Sequence, residues 1–317
     1  MMNRREFLAS GLAATVLHSA PGRVFARPDS GRTFRVAHVG NIWPDSVEEA
    51  IRECGRLGFE GIEPYMGSIV KYVDRPQALA ELLDAAGIRM ATCSNGGASM
   101  ADNFTDPSRV EETIAAHATF ARDFLAHFGC SHFKINVGPQ REGGTIGDEQ
   151  LRTMAKALNE LGKRTAEAGV RLAPHPHLWS PFERQEEVDR VLELTDPRYV
   201  YLTADTAHLT LAGMDPVKFL SEHYDRVAAI HFKDIPAKYR GYQGPSPTRE
   251  EHRQVGLYKR MGAGGVDFVA FTKILREKKF SGWVSLDYGR PRPEEGSVAD
   301  YVDHNVQYLN DVLDIRL

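Results

Sequence analysis

Three cysteines in 317 residues, dispersed at Cys54, Cys93 and Cys130, exclude a disulfide framework, which needs an even count at tight spacings. They are expected to be buried free thiols. Long apolar runs are missing as well. Past the N-terminus no stretch approaches the roughly 20 apolar residues a spanning helix needs, which excludes a multispan membrane protein. Positive charge is not in excess: the formal net charge is −4, and no Lys/Arg stretch forms a nucleic-acid-binding stripe. With 42% hydrophobic and 26% charged residues, the chain is not disordered, collagen-like or a coiled coil. Its length suits one α/β barrel of about 250 residues with additions as well as two ordinary domains.

Residues 1–26 have the form of an address label. Arg4 and Arg5 precede an apolar run from Phe7 to Leu17, and Val24-x-Ala26 offers a small-residue cleavage site. The paired arginines before Glu6-Phe7-Leu8 resemble the twin-arginine type of export signal, so a periplasmic location is expected. Three arginines and one glutamate would leave with the segment, taking the net charge from −4 to −6.

From residue 34, short β-branched or apolar runs alternate with longer helical spacing, with a period of about thirty residues. The predicted strands are Phe34–Val39, Gly61–Tyr65, Arg89–Cys93, His132–Val137, Arg171–Pro174, Tyr199–Ala204, Val227–Phe232 and Trp283–Asp287. Helices are predicted over Ser46–Leu57, Arg109–Phe128 and Asp148–Glu167, with Gly58 and Gly87 at helix stops. Eight such units imply a parallel sheet, and closing it gives a single (β/α)8 TIM barrel over residues 27–317. The competing doubly wound sheet would place a glycine-rich phosphate turn after the first strand, where this chain has His38-Val39-Gly40-Asn41. One long interruption, residues 235–264, would lie on the catalytic face as a lid or wall of the pocket.

Barrel active sites sit at the carboxyl ends of strands, and polar residues gather there. The fifth unit ends in Pro174-His175-Pro176-His177, with Glu183 soon after; the sixth ends in Asp205-Thr206-Ala207-His208. The seventh ends in His231-Phe232-Lys233-Asp234 and the eighth in Asp287. Three carboxylates, Glu183, Asp205 and Asp287, with the His231 imidazole would make an oxygen-rich site for a divalent ion, Mn²⁺ first and Mg²⁺ or Co²⁺ next. Each residue also has a plain alternative. Glu183 suits a helix start, Asp205 a turn, His231 a buried backbone bond and Lys233 a solvated charge. His175 and His177 are read as substrate contacts, and His208 as a ligand, a sugar contact or an orienter of Asp205, with Lys134, Asn136 and Glu63 as weaker candidates.

At these residues the sequence resembles the sugar phosphate isomerase/epimerase superfamily, the xylose-isomerase-like barrels, and within it the inosose dehydratase branch. The resemblance is carried by His175-Pro176-His177 with Glu183, Asp205-Thr206-Ala207-His208, Ile230-His231-Phe232-Lys233-Asp234 and Gly262-Ala263-Gly264-Gly265-Val266-Asp267-Phe268. It implies metal ligands at Glu183, Asp205, His231 and Asp287, and a substrate contact at His208. It also implies a metal-dependent isomerase, epimerase or dehydratase that abstracts the proton α to a keto-sugar carbonyl and passes through an enediolate. Glu183 would be the base, with His175, His177 or Lys233 as the acid. The family's last ligand is usually Glu; here it is Asp287, shorter by one C–C bond of about 1.5 Å, which counts against a symmetric two-base epimerase. Export favours a free or 3-keto sugar, a glycoside or an inosose over a sugar phosphate, with a keto-forming oxidoreductase as partner. Many relatives form homo-oligomers. Two other readings stand beside this one: a catalytically inactive carbohydrate-binding barrel, and an apurinic endonuclease, which would need the basic face this chain lacks.

Overall fold

The computed structural model describes residues 33–96, 103–138 and 145–317; the signal segment expected over 1–26 lies outside them. Eight strands occur among the described residues: β1 (Arg35–His38), β2 (Gly61–Ile62), β3 (Arg89–Met90), β4 (His132–Ile135), β5 (Arg171–Pro174), β6 (Leu202–Asp205), β7 (Val227–Phe232) and β8 (Trp283–Leu286). All eight fall where the sequence places them, with differences at the ends. β2 is short because Pro64 follows closely and has no N–H for a ladder. β6 starts late because Asp196-Pro197 opens a turn, in which the Asp196 carbonyl takes the N–H groups of Tyr199 and Val200.

Helix boundaries follow from caps. Ser46 Oγ accepts the Glu49 N–H and starts helix Val47–Leu57, which stops at Gly58 in the left-handed conformation at φ 93°. The helix predicted over Arg109–Phe128 comprises an α-helix from Val110 to Phe120 and a π turn from Ala121 to Leu125. It begins late because Asp106 first closes a turn onto Ser108 and Arg109.

All strand pairs are parallel. One ladder runs β3-β2-β1-β8-β7-β6, and β4 pairs with β5. The two join at a bridge between Leu172 and Val200, where the Tyr201 N–H reaches the Leu172 carbonyl at 2.8 Å. At the β3–β4 seam side chains stand in for a backbone ladder. Thr92 Oγ1 donates to the His132 carbonyl at 2.7 Å. Asn95 accepts the Asn136 N–H at 2.8 Å and donates to the Asn136 carbonyl at 3.0 Å, as a strand's peptide group would. The fold is a (β/α)8 barrel.

Alternate residues of each strand share a face, so a strand that carries one axial residue carries others two positions away. Trp283, at the start of β8, packs with Ala37 and Ala91 in a small core of its own, and a Cβ on Gly61 would lie 2.8 Å from its ring. Ser285 and Asp287 follow on the same side, toward the carboxyl end. Cys54, Cys93 and Cys130 are free and buried, as expected.

Residues 235–264 contain a 3-10 turn (Ala237–Tyr239) and a helix (Arg249–Val255). Buried Asp234 pins both ends of this insertion. Its Oδ1 accepts the N–H groups of Ile235 at 2.8 Å and Val266 at 3.0 Å, and its Oδ2 those of Gly262 at 2.9 Å and Gly264 at 3.0 Å. A Cβ on Gly264 would lie 1.9 Å from the Ile235 carbonyl oxygen, which accounts for that glycine. Replacing Asp234 with Ala strands four donors. Stability should fall by about 3 kcal/mol or more, read from the denaturant midpoint. An unchanged midpoint would refute the pinning role.

Candidate metal and substrate site

β6 ends in Asp205, whose Oδ1 accepts the N–H groups of Ala207 at 2.8 Å and His208 at 2.9 Å and so caps helix Thr206–Leu211. Its Oδ2 is buried and has no hydrogen-bond partner. Three nitrogen atoms face it: His175 Nε2 and His231 Nδ1, each at 3.6 Å, and Lys233 Nζ at 3.9 Å. From beyond β8, Asp287 Oδ2 lies 3.4 Å from His231 Nδ1 and 2.7 Å from Lys233 Nζ. Its other oxygen accepts from Asn41 Nδ2 at 2.7 Å.

The hydrogen-bond network assigns the proton on each histidine. His231 Nε2 lies 2.9 Å from Glu63 Oε1, and the second Glu63 oxygen accepts from Ser285 Oγ at 2.8 Å. A carboxylate only accepts, so neutral His231 carries its proton on Nε2 and turns the Nδ1 lone pair toward Asp205 and Asp287. His175 Nδ1 lies 3.0 Å from Asn136 Oδ1, which also accepts from Lys134 Nζ at 3.1 Å. Because an ammonium only donates, the amide atom there is the oxygen. His175 therefore donates from Nδ1 and presents the Nε2 lone pair. His208 is the reverse: Nδ1 accepts the Leu178 N–H at 3.3 Å, leaving Nε2–H as a buried donor without a partner.

Electrostatics keep His175 and His208 neutral, whereas the carboxylates around His231 favour its protonated form, whose Nδ1 proton a bound cation would replace. Burial, reinforced by Lys134, holds the His175 pKa well below its ordinary value; burial and His177 do the same to His208. Burial opposes charge on His231, yet Glu63, Asp205 and Asp287 hold its pKa well above the ordinary value. The space between those carboxylates thus favours a cation. Lys233 behaves alike: burial opposes its charge, and Asp287 and Asp205 more than offset it.

Two overlapping clusters have the spacing of metal ligands, Asp205–His231–Asp287 and His175–Asp205–His208. Separations of 3.4–3.6 Å match atoms that share one tetrahedral ion at about 2.1 Å each. The unpaired Asp205 Oδ2, His231 Nδ1 and His175 Nε2 make the residues present a fit for a divalent ion. His208 joins on distance alone, since its Nε2 carries a proton.

The remaining sequence candidates are placed as follows. Glu183 is buried but joins neither cluster; its Oε2 accepts the Trp179 N–H, and it stands two residues before the start of helix Gln185–Leu194. Glu63 lies behind His231. Lys134 is buried beside Ser94 Oγ at 3.1 Å. The His177 ring packs against that of His208 with centroids 3.8 Å apart, and its Nδ1 donates to the Leu178 carbonyl at 2.6 Å. Burial lowers the His177 pKa to about 4. The insertion reaches the same place: Tyr258 lies under Lys233 Nζ at 4.3 Å, and the Pro247 carbonyl accepts from Trp179 Nε1 at 2.9 Å. The sequence reading missed Asn41, Ser285 and Tyr258. The strand-end rule could have found Asn41 and the two-residue period Ser285, whereas nothing local marks Tyr258.

The sequence matches the profile of the xylose isomerase-like TIM barrel family over residues 51–311. Inosose dehydratase from Lacticaseibacillus casei is 27% identical over 290 residues, covering 85% of this chain and 91% of that protein. A crystal structure of the IOLI protein with a bound zinc atom superposes with TM-score 0.70 at 18% identity, covering 89% of this chain and 98% of that one. 3-Keto-D-glucoside 4-epimerase from E. coli gives TM-score 0.65 at 16% identity, covering 86% and 97%. At those identities the two structures attest the fold.

The network makes Glu63 a test of the metal fit. Glu63→Leu removes the acceptor that fixes the His231 proton, and divalent-metal affinity should fall about 10–100-fold in a chelator competition assay. Glu63→Gln keeps an acceptor and should recover most of the loss. Equal affinity in all three proteins would show that His231 is not oriented this way.

Proposed function

Because the chain belongs to the xylose isomerase-like TIM barrel family, we propose that it is a divalent-metal-dependent sugar-modifying enzyme that abstracts the proton α to a keto-sugar carbonyl. The observation that carries this reading is the group of buried, unpaired donor atoms around Asp205 Oδ2 at the carboxyl end of the barrel. Inosose dehydratase and 3-keto-D-glucoside 4-epimerase among its relatives support a keto-substrate: a free or 3-keto sugar, a glycoside or an inosose.

Asp205, His231 and Asp287 would hold the ion, which when bound supplies Lewis-acid polarisation of the substrate carbonyl. Their mixed oxygen and nitrogen donors suit Mn²⁺ first, with Co²⁺ next and all-oxygen-seeking Mg²⁺ a weaker match. The protein's own groups do the rest. Glu183 takes the α-proton, and the Lys233 ammonium, held charged by Asp287 and Asp205, hydrogen-bonds the departing or receiving oxygen and stabilises the charge that develops there. The His208 Nε2–H hydrogen-bonds a substrate oxygen. Residues 235–264 cover the site through Tyr258 and the Pro247–Trp179 contact and keep water from the carbanion.

Asp287 is a poor second base, because Asn41 and Lys233 occupy its two oxygens. That asymmetry favours elimination or isomerisation over two-base epimerisation. The arginine pair near the N-terminus supports export, and the chemistry calls for an oxidoreductase that supplies the keto group.

Incubation in D₂O with ketoses, inososes and 3-keto-glucosides, followed by NMR, tests the reading. Deuterium should enter at the α-carbon with Mn²⁺ and stop with EDTA. Asp205→Ala should lose bound metal and lower exchange by about 10³-fold. Sugar binding without any exchange would make the protein a binding barrel.

A further inference from the structure

We propose that His175, not Glu183, supplies the β5 ligand of the metal site, and that Asn136 and Lys134 hold it in the ligating tautomer. This rests on the metal-dependent reading above but departs from the ligand set the family resemblance implies. His175 directly follows the last residue of β5, so the barrel itself aims its side chain. Its N–H is bonded to the Ile135 carbonyl at 2.9 Å, which ties the residue to β4. Its Nε2 is buried, has no hydrogen-bond partner and lies 3.6 Å from the equally unpartnered Asp205 Oδ2. The His175 and His231 rings are 5.0 Å apart, and each brings a nitrogen to 3.6 Å from that oxygen.

Glu183 is tethered elsewhere. Between it and His175 runs an irregular loop in which Trp179 takes φ 63° and the His177 N–H bonds to the Phe182 carbonyl at 2.8 Å. This loop folds back so that the Trp179 N–H occupies the Glu183 carboxylate. No Glu183 oxygen comes within ligand spacing of the cluster around Asp205, whereas His175 Nε2 already does. The exchange has a chemical consequence. Two carboxylates with two imidazoles carry one negative charge fewer than three carboxylates with one, which favours borderline ions such as Co²⁺ or Zn²⁺. It also spares the Glu183 lone pairs, and a carboxylate not committed to an ion is the stronger base.

The lock on His175 is a relay. Lys134 Nζ donates to Asn136 Oδ1, the same oxygen takes the His175 Nδ1 proton, and Ser94 Oγ holds Lys134 from the other side. Asn136→Leu removes the acceptor and lets the proton move to Nε2, where it blocks ligation.

Dissociation constants for Co²⁺ and Zn²⁺, measured on the full chain against a fluorescent chelator, test the proposal. Thermal melts of each apo-protein confirm folding. His175→Gln should weaken binding about 100-fold and Asn136→Leu about 10-fold. Glu183→Gln should bind within about threefold of the parent while abolishing α-proton exchange. The Co²⁺ d–d spectrum should change in His175→Gln and persist in Glu183→Gln. The opposite pattern, metal lost with Glu183 and kept without His175, overturns the proposal, as does a parent protein that binds neither ion. Should the metal pattern hold while the parent shows no exchange, the enzyme reading fails and the ligand assignment stands.

Discussion

Asp205 gives its two carboxylate oxygens different tasks, and the site is built on that division. Oδ1 is committed to two backbone N–H groups at the start of the following helix, which fixes the plane of the carboxylate. Oδ2 is thereby directed into the barrel mouth, buried and without a hydrogen-bond partner. His175, His231 and Lys233 arrive around it from β5 and β7, and Asp287 from β8. Because the strands are parallel and close into a barrel, each of these side chains leaves its strand at the same end. No single element could assemble this group.

Such a site is held at a cost to the fold. Glu63, Asp205 and Asp287 are buried carboxylates, and Lys134 and Lys233 buried ammoniums, in an interior where an unmatched charge costs several kcal/mol. Charge pairing and hydrogen bonds offset most of this: Glu63 binds His231 and Ser285, and Asp287 binds Asn41 and Lys233. What stays unmatched is concentrated where a ligand would complete it. Each buried unpaired polar atom costs about 1–3 kcal/mol, so a bound cation and substrate would stabilise the protein as well as react in it.

Much of this was legible in the sequence because it follows from period and position. The eight strands repeat at a regular spacing, and barrel geometry converts strand ends into one site; Asp205, His231, Asp287, Lys233 and His175 are found by that rule alone. Glu183 is different. Strand parity stops at Pro174, and the loop beyond it turns by its own hydrogen bonds, so distance along the chain no longer reports direction in space. Proton positions were equally out of reach. The Nε2 proton of His231 depends on Glu63, 168 residues away, and that of His175 on Asn136, 39 residues away. The β3–β4 seam is the fold's counterpart: one asparagine side chain replaces a ladder, which no propensity signals.

The shortened carboxylate at position 287 ties these features together. A glutamate there would extend about 1.5 Å further into the mouth and could face a second base across the substrate. Asp287 instead stays near the wall, with Asn41 on one oxygen and Lys233 on the other. Lys233 in turn packs over Tyr258 of the insertion, so an ammonium stands beside the Asp287 carboxylate. With Asp287 held in this way, the proposed chemistry is left with one carboxylate base, Glu183, and one charged hydrogen-bond donor, Lys233, which favours elimination or isomerisation over two-base epimerisation.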